Sequence, residues 1–184
     1  MDKRFFNLFN LTEDQAIAIL ETPIKELEDP SEKYIAVSHL INFESEKTIQ
    51  ALIRAIETSN VAEVDERIVR RKAIESLGRL KAVSALATIQ SCLKDDDKYT
   101  VENAVWAIGE ISGEIKSWSS TIVELGEAIA AVLDQPDQIY RVIIQTLVKL
   151  NTNPRSIGLN DLRQRRMNRL EVRRSRRCIG SQET

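Results

Sequence analysis

The most regular feature of the sequence is an apolar stripe that returns four times with the spacing of one helical face. With residues at i, i+4 and i+7, the four stripes are Ala36, Leu40 and Phe43; Ala73, Leu77 and Leu80; Ala104, Ile108 and Ile111; and Ile143, Leu147 and Leu150. This spacing predicts four amphipathic helices, each with one side to bury. Because one such helix cannot cover its own apolar side, the repetition predicts a stack of similar units with a shared core.

Polar residues before the stripes predict where the helices begin. An aspartate stands six to eight residues ahead of each stripe, and the four are Asp29, Asp65, Asp97 and Asp137. As N-caps they would accept hydrogen bonds from first-turn amides and contribute about 0.5–2 kcal/mol each. Upstream, the segment 12–15 reads Thr-Glu-Asp-Gln, a capping box that predicts a short helix to about residue 21.

Each of the first two stripes is followed, after six residues, by a second stripe, which predicts helical pairs. These second stripes are Ile49, Leu52 and Ile56, and Leu86, Ile89 and Leu93. In the third unit the segment 112–120 intervenes before Leu125, Ile129 and Leu133, and we interpret it as an insertion in a turn.

The expected organisation is therefore a cap with one helix, an array of helical pairs and a tail. The cap covers residues 1–28, and the tail covers residues 154–184. The units between them are residues 29–60, 65–95, 97–134 and an incomplete unit 137–153. This pattern predicts an all-α solenoid.

The composition agrees with a helical, cytoplasmic protein and excludes several classes. Six glycines and four prolines in 184 residues are few, and no apolar run is long enough for a membrane span. The N-terminal residues lack the apolar core of a signal peptide. Two cysteines, Cys92 and Cys178, do not make a disulfide framework or a metal cluster, and we expect Cys92 in the core. The single histidine, His39, has no visible partner for metal binding or catalysis, so a packed or surface role is expected.

The charge is divided unevenly along the chain. Residues 154–184 hold nine arginines, no lysine and three acids, a formal charge of +6, whereas residues 1–153 carry −8. One interpretation is an arm that binds nucleic acid through its phosphates, although the acidic body argues against nucleic acid as the main partner. The other is a reading-frame change or truncation, because the helix that should close the fourth unit is missing.

Two phrases of the repeat, Ser-Leu-Gly-Arg-Leu at 76–80 and Trp-Ala-Ile-Gly-Glu-Ile at 106–111, resemble the short HEAT-like repeats of the phycobilisome lyase family. The resemblance covers about residues 29–153. It implies a right-handed α-solenoid of HEAT/armadillo-like pairs from a cyanobacterium. It also implies one of two functions. The first is a bilin lyase subunit that acts with a second subunit on a phycobiliprotein. The second is a scaffold that binds an iron–sulfur cluster assembly factor.

No catalytic motif is visible, so the resemblance leaves open whether the chain is an enzyme. It implies no permanently bound cofactor, with a phycobilin as a transferred ligand. A lyase needs cations for the bilin propionates, an acid and an aromatic wall. The candidates are Arg70 and Arg71 for the propionates, Glu102 for the pyrrole nitrogens, Tyr99 and Trp106 for stacking, and Trp118 as a contact in the inserted turn. The alternative interpretation is that the charged candidates are solvated helix residues and Trp106 belongs to the core.

Overall fold

The computed structural model describes residues 10–114, 128 and 137–150 of the chain. Regular structure in these ranges is helical, with no strand. The α-helices are α1 (Glu13–Glu21), α2 (Ser31–Leu40), α3 (Glu46–Thr58), α4 (Val64–Arg79), α5 (Leu86–Ser91), α6 (Lys98–Ile111) and α7 (Asp137–Lys149). Short 3₁₀ turns occupy Ile24–Glu26, Val83–Ala85, Cys92–Lys94 and Ser112–Glu114. None of the helices in the described ranges is long and apolar enough to cross a membrane.

The helices stack in sequence order, as the repeated stripes predict. Helices α2, α4, α6 and α7 pack one against the next, while α1 and α3 lie against α2 and α4, and α5 lies against α6. One apolar cluster runs through the stack from α1 to α7. All stripe residues of the four first helices are buried except Phe43 and Leu80, which are half-buried against the same cluster. The predicted all-α solenoid is confirmed.

Two of the predicted caps form as expected. The amide of Gln15 donates to Thr12 Oγ1 at 3.3 Å and the amide of Thr12 donates to Gln15 Oε1 at 2.9 Å, which completes the capping box. Asp97 is the N-cap of α6 and accepts the amide of Thr100 at 3.0 Å. These side chains satisfy backbone donors that the first helical turn leaves without partners.

The other three aspartates do not occupy the N-cap position. Asp29 accepts the amide of Ser31 at 2.8 Å but stands one residue ahead of the N-cap of α2. Asp137 is the first residue of α7 rather than the residue before it. The prediction for Asp65 is wrong because α4 begins at Val64 and its N-cap is Glu63. A turn places the start there, since the amide of Glu63 donates to the carbonyl of Asn60 at 3.0 Å.

Two elements are shorter than their stripes predict. Helix α2 ends at Leu40, so Phe43 packs on the core from the turn that follows. The second helix of the second unit is not continuous: α5 has only six residues and is flanked by 3₁₀ turns on both sides. Leu86, Ile89 and Leu93 nevertheless reach the core as predicted.

Several sequence predictions fall outside the described residues. They are the apolar segment before residue 10, the second helix of the third unit with Leu125, Ile129 and Leu133, Trp118 and most of its turn, Cys178 and the basic tail 154–184.

Helices α4, α6 and α7 come close together at the glycines that follow the second residue of the second and third stripes. A Cβ added to Gly78 on α4 would lie 2.8 Å from Cζ3 of Trp106 and 2.9 Å from the Cα of Ala107 on α6. A Cβ added to Gly109 on α6 would lie 2.9 Å from Oγ1 of Thr146 on α7. The glycine of the repeated phrase is therefore a requirement of helix packing. On α7 the corresponding residue is Val148, which is 72% exposed.

Buried hydroxyl groups also join neighbouring units. Ser76 Oγ on α4 donates to the carbonyl of Val37 on α2 at 3.3 Å, and Thr146 Oγ1 on α7 donates to the carbonyl of Val105 on α6 at 3.1 Å. Both donors lie three residues after the first stripe residue, and both acceptors lie one residue after it. The same contact therefore recurs at two interfaces of the stack.

Replacing Ser76 by alanine should lower the free energy of unfolding by about 1 kcal/mol, since the variant loses a buried hydrogen bond between units. Urea denaturation of the variant and of the parent protein measures this difference. Ser84→Ala is the matched control because Ser84 is exposed. An equal loss of stability in both variants would contradict a role of the Ser76 hydroxyl in joining the units.

Candidate ligand-binding face of α6

Three of the predicted site residues share one face of α6. Tyr99, Glu102 and Trp106 are spaced by three and four residues, so their side chains project from the same side of the helix. Tyr99 is 41% exposed, and Glu102 and Trp106 are half-buried. From Tyr99 to Trp106 the face extends about 10 Å along the helix axis. We refer to these three residues and Arg71 as the α6 face.

Arg71 reaches this face from α4 and is held there in a fixed position. Its Nε donates to Asp97 Oδ2 at 2.7 Å, and its guanidinium carbon lies 5.0 Å from the centroid of the Tyr99 ring. The two terminal amino groups of Arg71 donate to no residue in the described part of the chain. They are therefore free to bind a carboxylate, a geometry that guanidinium groups favour. Lys98 adds a second cation 5.0 Å from the centroid of the same ring.

Asp97 is the residue that fixes Arg71. Burial raises the pKa of Asp97, but hydrogen bonds from Thr100 and Arg71 and the charge of Arg71 outweigh that effect, so its pKa lies below the ordinary value. The Thr100 hydroxyl donates to Asp97 Oδ2 at 2.7 Å. Asp97 is consequently ionised at neutral pH and serves both as a helix cap and as the counterion of Arg71.

Arg70, the other arginine predicted for propionates, lies apart from this face. Its Nη1 pairs with Asp95, its Nη2 lies 3.5 Å from Cys92 Sγ, and its side chain is only 14% exposed. The arginine links α4 to the turn before α6. The two adjacent arginines thus have different environments, and Arg71, with its side chain 26% exposed, is the more accessible of the two.

The remaining candidates, Glu102 and Trp106, differ in how far they are available to a ligand. Glu102 has no hydrogen bond or ion pair with another residue in the described ranges, so its carboxylate is free for a ligand. Trp106 packs over Gly78 and also lines a cavity of about 470 Å³ beside α7, together with Val142 and Gln145. Trp106 therefore combines the two interpretations that the sequence leaves open.

Cys92 lies in the core as expected from the sequence, and His39 has a packed role, one of the two that the sequence left open. Cys92 is fully buried, and burial raises the pKa of its thiol, which keeps it protonated and unreactive. Nε2 of His39 lies 2.7 Å from the carbonyl oxygen of Leu11, and its ring meets Phe43 edge-on. Among the residues that the structure describes, no cluster of three or more metal-ligand side chains occurs.

Sequence reasoning missed the second role of Asp97 and the contribution of Lys98. Asp97 was predicted only as a cap, and nothing in its local sequence indicates that an arginine 26 residues away binds it. The alignment of units contains a signal that could have indicated the ion pair of Asp97. Glu66 and Asp97 both stand seven residues before their stripes, and both pair with a cation of the preceding unit.

Comparison with known proteins agrees with this architecture. Residues 61–147 match the family model of HEAT repeats. The chain is a HEAT-repeat protein in which the repeats stack through their first helices.

Three curated relatives show which HEAT-repeat proteins this chain is similar to. The chain is 54% identical over 154 residues to the uncharacterized phycocyanin operon protein Y of Pseudanabaena tenuis, covering 84% of this chain and 35% of that protein. It is 32% identical over 126 residues to the bilin biosynthesis protein CpeY of a Synechococcus species, covering 68% of this chain and 28% of that protein. It is also 32% identical over 131 residues to the phycocyanobilin lyase subunit alpha of Synechococcus elongatus, covering 68% of this chain and 46% of that protein.

A solved structure shares the fold. The complex of CpcE and CpcF of phycocyanin lyase from a Nostoc species matches with a TM-score of 0.60 and 24% identity, over 82% of this chain and 55% of that chain. The resemblance to the HEAT-like repeats of the phycobilisome lyase family is confirmed by these relatives together. The chain spans between 28% and 46% of the length of the curated relatives that it matches.

Proposed function

We propose that the chain acts as part of a HEAT-repeat protein of the bilin lyase type, which assists the attachment of a bilin to phycobiliproteins through protein–protein contacts. The observation that carries the proposal is the Arg71–Tyr99 pair on the α6 face, a fixed cation above an exposed aromatic ring. The names of two relatives, a bilin biosynthesis protein and a phycocyanobilin lyase subunit, support the same function.

The residues of the α6 face suit the chemistry of a linear tetrapyrrole. The terminal amino groups of Arg71 would bind a propionate carboxylate, while Tyr99 and Trp106 would provide aromatic surface for the conjugated rings. Glu102 lies between the two aromatic residues in sequence and on the same face, where a carboxylate can accept hydrogen bonds from pyrrole N–H groups. In this proposal the bilin is a transferred substrate, and the acceptor thiol comes from the phycobiliprotein.

The proposed partners are a second lyase subunit and a phycobiliprotein. The Nostoc structure that shares the fold is a complex of two chains, which supports a subunit partner. The alternative function, a scaffold for an iron–sulfur assembly factor, receives no support from the relatives described above. We therefore retain the bilin function as the single proposal.

Titration of the protein with phycocyanobilin, followed by visible absorbance, tests this function. Arg71→Gln should weaken bilin binding by about tenfold, because it removes a charge-assisted hydrogen bond to a carboxylate. Arg79→Gln is the matched control, since Arg79 is on the same helix but its side chain is 56% exposed and pairs with Glu75. Circular dichroism of both variants checks that the helical fold is retained.

The titration is repeated with the candidate partner subunit present. If the bilin spectrum does not change with the protein alone or with that subunit, the proposed function is wrong. Equal affinity in the Arg71 variant and the parent protein would instead remove Arg71 from the site.

A further inference from the structure

A second surface lies between the N-terminal turns of α2 and α4, where a groove of about 420 Å³ opens to solvent. Tyr34, Ile68 and Val69 provide its apolar lining, and the carboxylates of Asp29 and Asp65 stand beside them. Tyr34 is 42% exposed and Ile68 is 39% exposed. Exposed apolar side chains with polar residues around them are typical of interaction surfaces.

The next pair of helices shows how the protein fills the corresponding position. In the alignment of units, Tyr34 corresponds to Arg71, and Ile68 corresponds to Tyr99. Between α4 and α6, the guanidinium of Arg71 lies 5.0 Å from the Tyr99 ring centroid and donates to Asp97 at 2.7 Å. Between α2 and α4 the equivalent carboxylate, Glu66, is bound by Lys33 instead, and the groove beside Tyr34 and Ile68 stays open.

The carboxylates of the groove are available to an external cation. Asp65 has no hydrogen bond or ion pair with any residue of the described ranges, and it is exposed. Asp29 accepts the amide of Ser31 through Oδ1 at 2.8 Å and is also hydrogen-bonded by the Ser31 side chain, but its carboxylate remains exposed to solvent. None of the residues that line the groove is a cation.

Two lysines around the groove are held by other carboxylates, and Arg67, next to Ile68 on α4, donates to the carbonyl of Val61 at 3.3 Å. Lys33 donates to Glu66 at 3.3 Å. The Nζ atom of Lys72 lies 5.8 Å from the centroid of the Tyr34 ring and donates to Glu75 at 3.0 Å. The negative charge of Asp29 and Asp65 therefore complements a cation supplied from outside the array.

We propose that this groove binds an arginine side chain of a partner protein, presented on a segment with apolar residues on both sides. The aliphatic stem of that arginine lies against Ile68 and Val69, and its guanidinium lies against the Tyr34 ring, near Asp29 and Asp65. Arginine fits better than lysine because its planar group stacks on aromatic rings and donates two parallel hydrogen bonds to a carboxylate. The groove is separate from the α6 face, so this inference does not rest on the bilin function.

An NMR titration of the full ¹⁵N-labelled chain with the peptide acetyl-Leu-Arg-Leu-amide tests the proposal. We expect saturable shifts at the amides of Tyr34 and Ile68, and binding at least about fivefold weaker when glutamine replaces the arginine of the peptide. Asp65→Asn should weaken binding at least about threefold by removing one charge. Asp96→Asn is the matched control, because Asp96 is the exposed aspartate at the same position of the next unit.

Three results would overturn the proposal. The first is equal binding of the arginine and glutamine peptides, and the second is an unchanged affinity in Asp65→Asn. The third is a shift of the protein's own arginine side-chain signals in Asp65→Asn without peptide, which would assign the groove to this chain's own basic segment. Bilin absorbance of the Asp65 variant should equal that of the parent protein, so failure here and failure of the proposed function can be distinguished.

Discussion

Gly78→Val is expected to lower the free energy of unfolding by about 3 kcal/mol, the upper part of the usual range for overpacking. Any side chain at this position meets the ring of Trp106 and the backbone of Ala107 at less than 3 Å. The tryptophan ring could rotate away, but the backbone of α6 could not move without separating the two units. The substitution therefore disrupts the contact that sets the distance between α4 and α6.

Chemical denaturation measures the loss of stability, and near-ultraviolet circular dichroism reports whether the Trp106 ring has moved. Gly113→Val is the control because a Cβ added at Gly113 meets nothing within 4 Å. That variant should stay within about 0.5 kcal/mol of the parent protein, as surface substitutions usually do. If both glycine variants were equally stable, close helix packing would not be the reason for the glycine.

Asp97→Ala is expected to cost about 2 kcal/mol at neutral pH, because it removes a helix cap and a charge-assisted hydrogen bond at once. The pKa of the Asp97 carboxyl group is lower in the folded than in the unfolded protein. The stability that ionised Asp97 contributes is therefore present above the unfolded pKa and is lost as the pH falls through the folded pKa. The difference between parent and variant should accordingly shrink when the pH is lowered from neutral to below about 3.9, the ordinary aspartate value.

Urea denaturation over a series of pH values measures this change. Asp96→Ala is the neighbouring control, since Asp96 is exposed and is not the N-cap of α6. A constant difference between the Asp97 variant and the parent protein at all pH values would contradict an ionic role. Bilin affinity of the same variant would show whether the position of Arg71 depends on Asp97.

Helical periodicity predicted the core well because burial depends on which residues share a face, and this depends only on local spacing. The helix starts were predicted less well. An aspartate anywhere in the first turn complements the helix dipole, so the presence of Asp65 favours a helix start without fixing it to one residue. The start of α4 is set by the turn at Asn60, and the apolar pattern used to predict helices contains no information about that turn.

For the candidate site, the sequence indicated Tyr99, Glu102 and Trp106 as separate candidates, and the structure of α6 places them on one face. The sequence could not distinguish Arg70 from Arg71. Adjacent helical residues point about 100° apart, and which of the two arginines remains open depends on Asp95 and Asp97, both in the turn before the next helix. Contacts between residues that are 25 or more positions apart have no local signature.

Val148 has a consequence for anything that packs beyond α7. On α4 and α6 the corresponding residue is glycine, and the neighbouring helix lies against its bare backbone. A helix placed on the outer side of α7 would meet an isopropyl group there, which favours a larger distance between axes, toward the upper end of the usual range of about 8–10 Å. A wider step on one side of the stack also tilts the next element, so the curvature of the solenoid should change at α7.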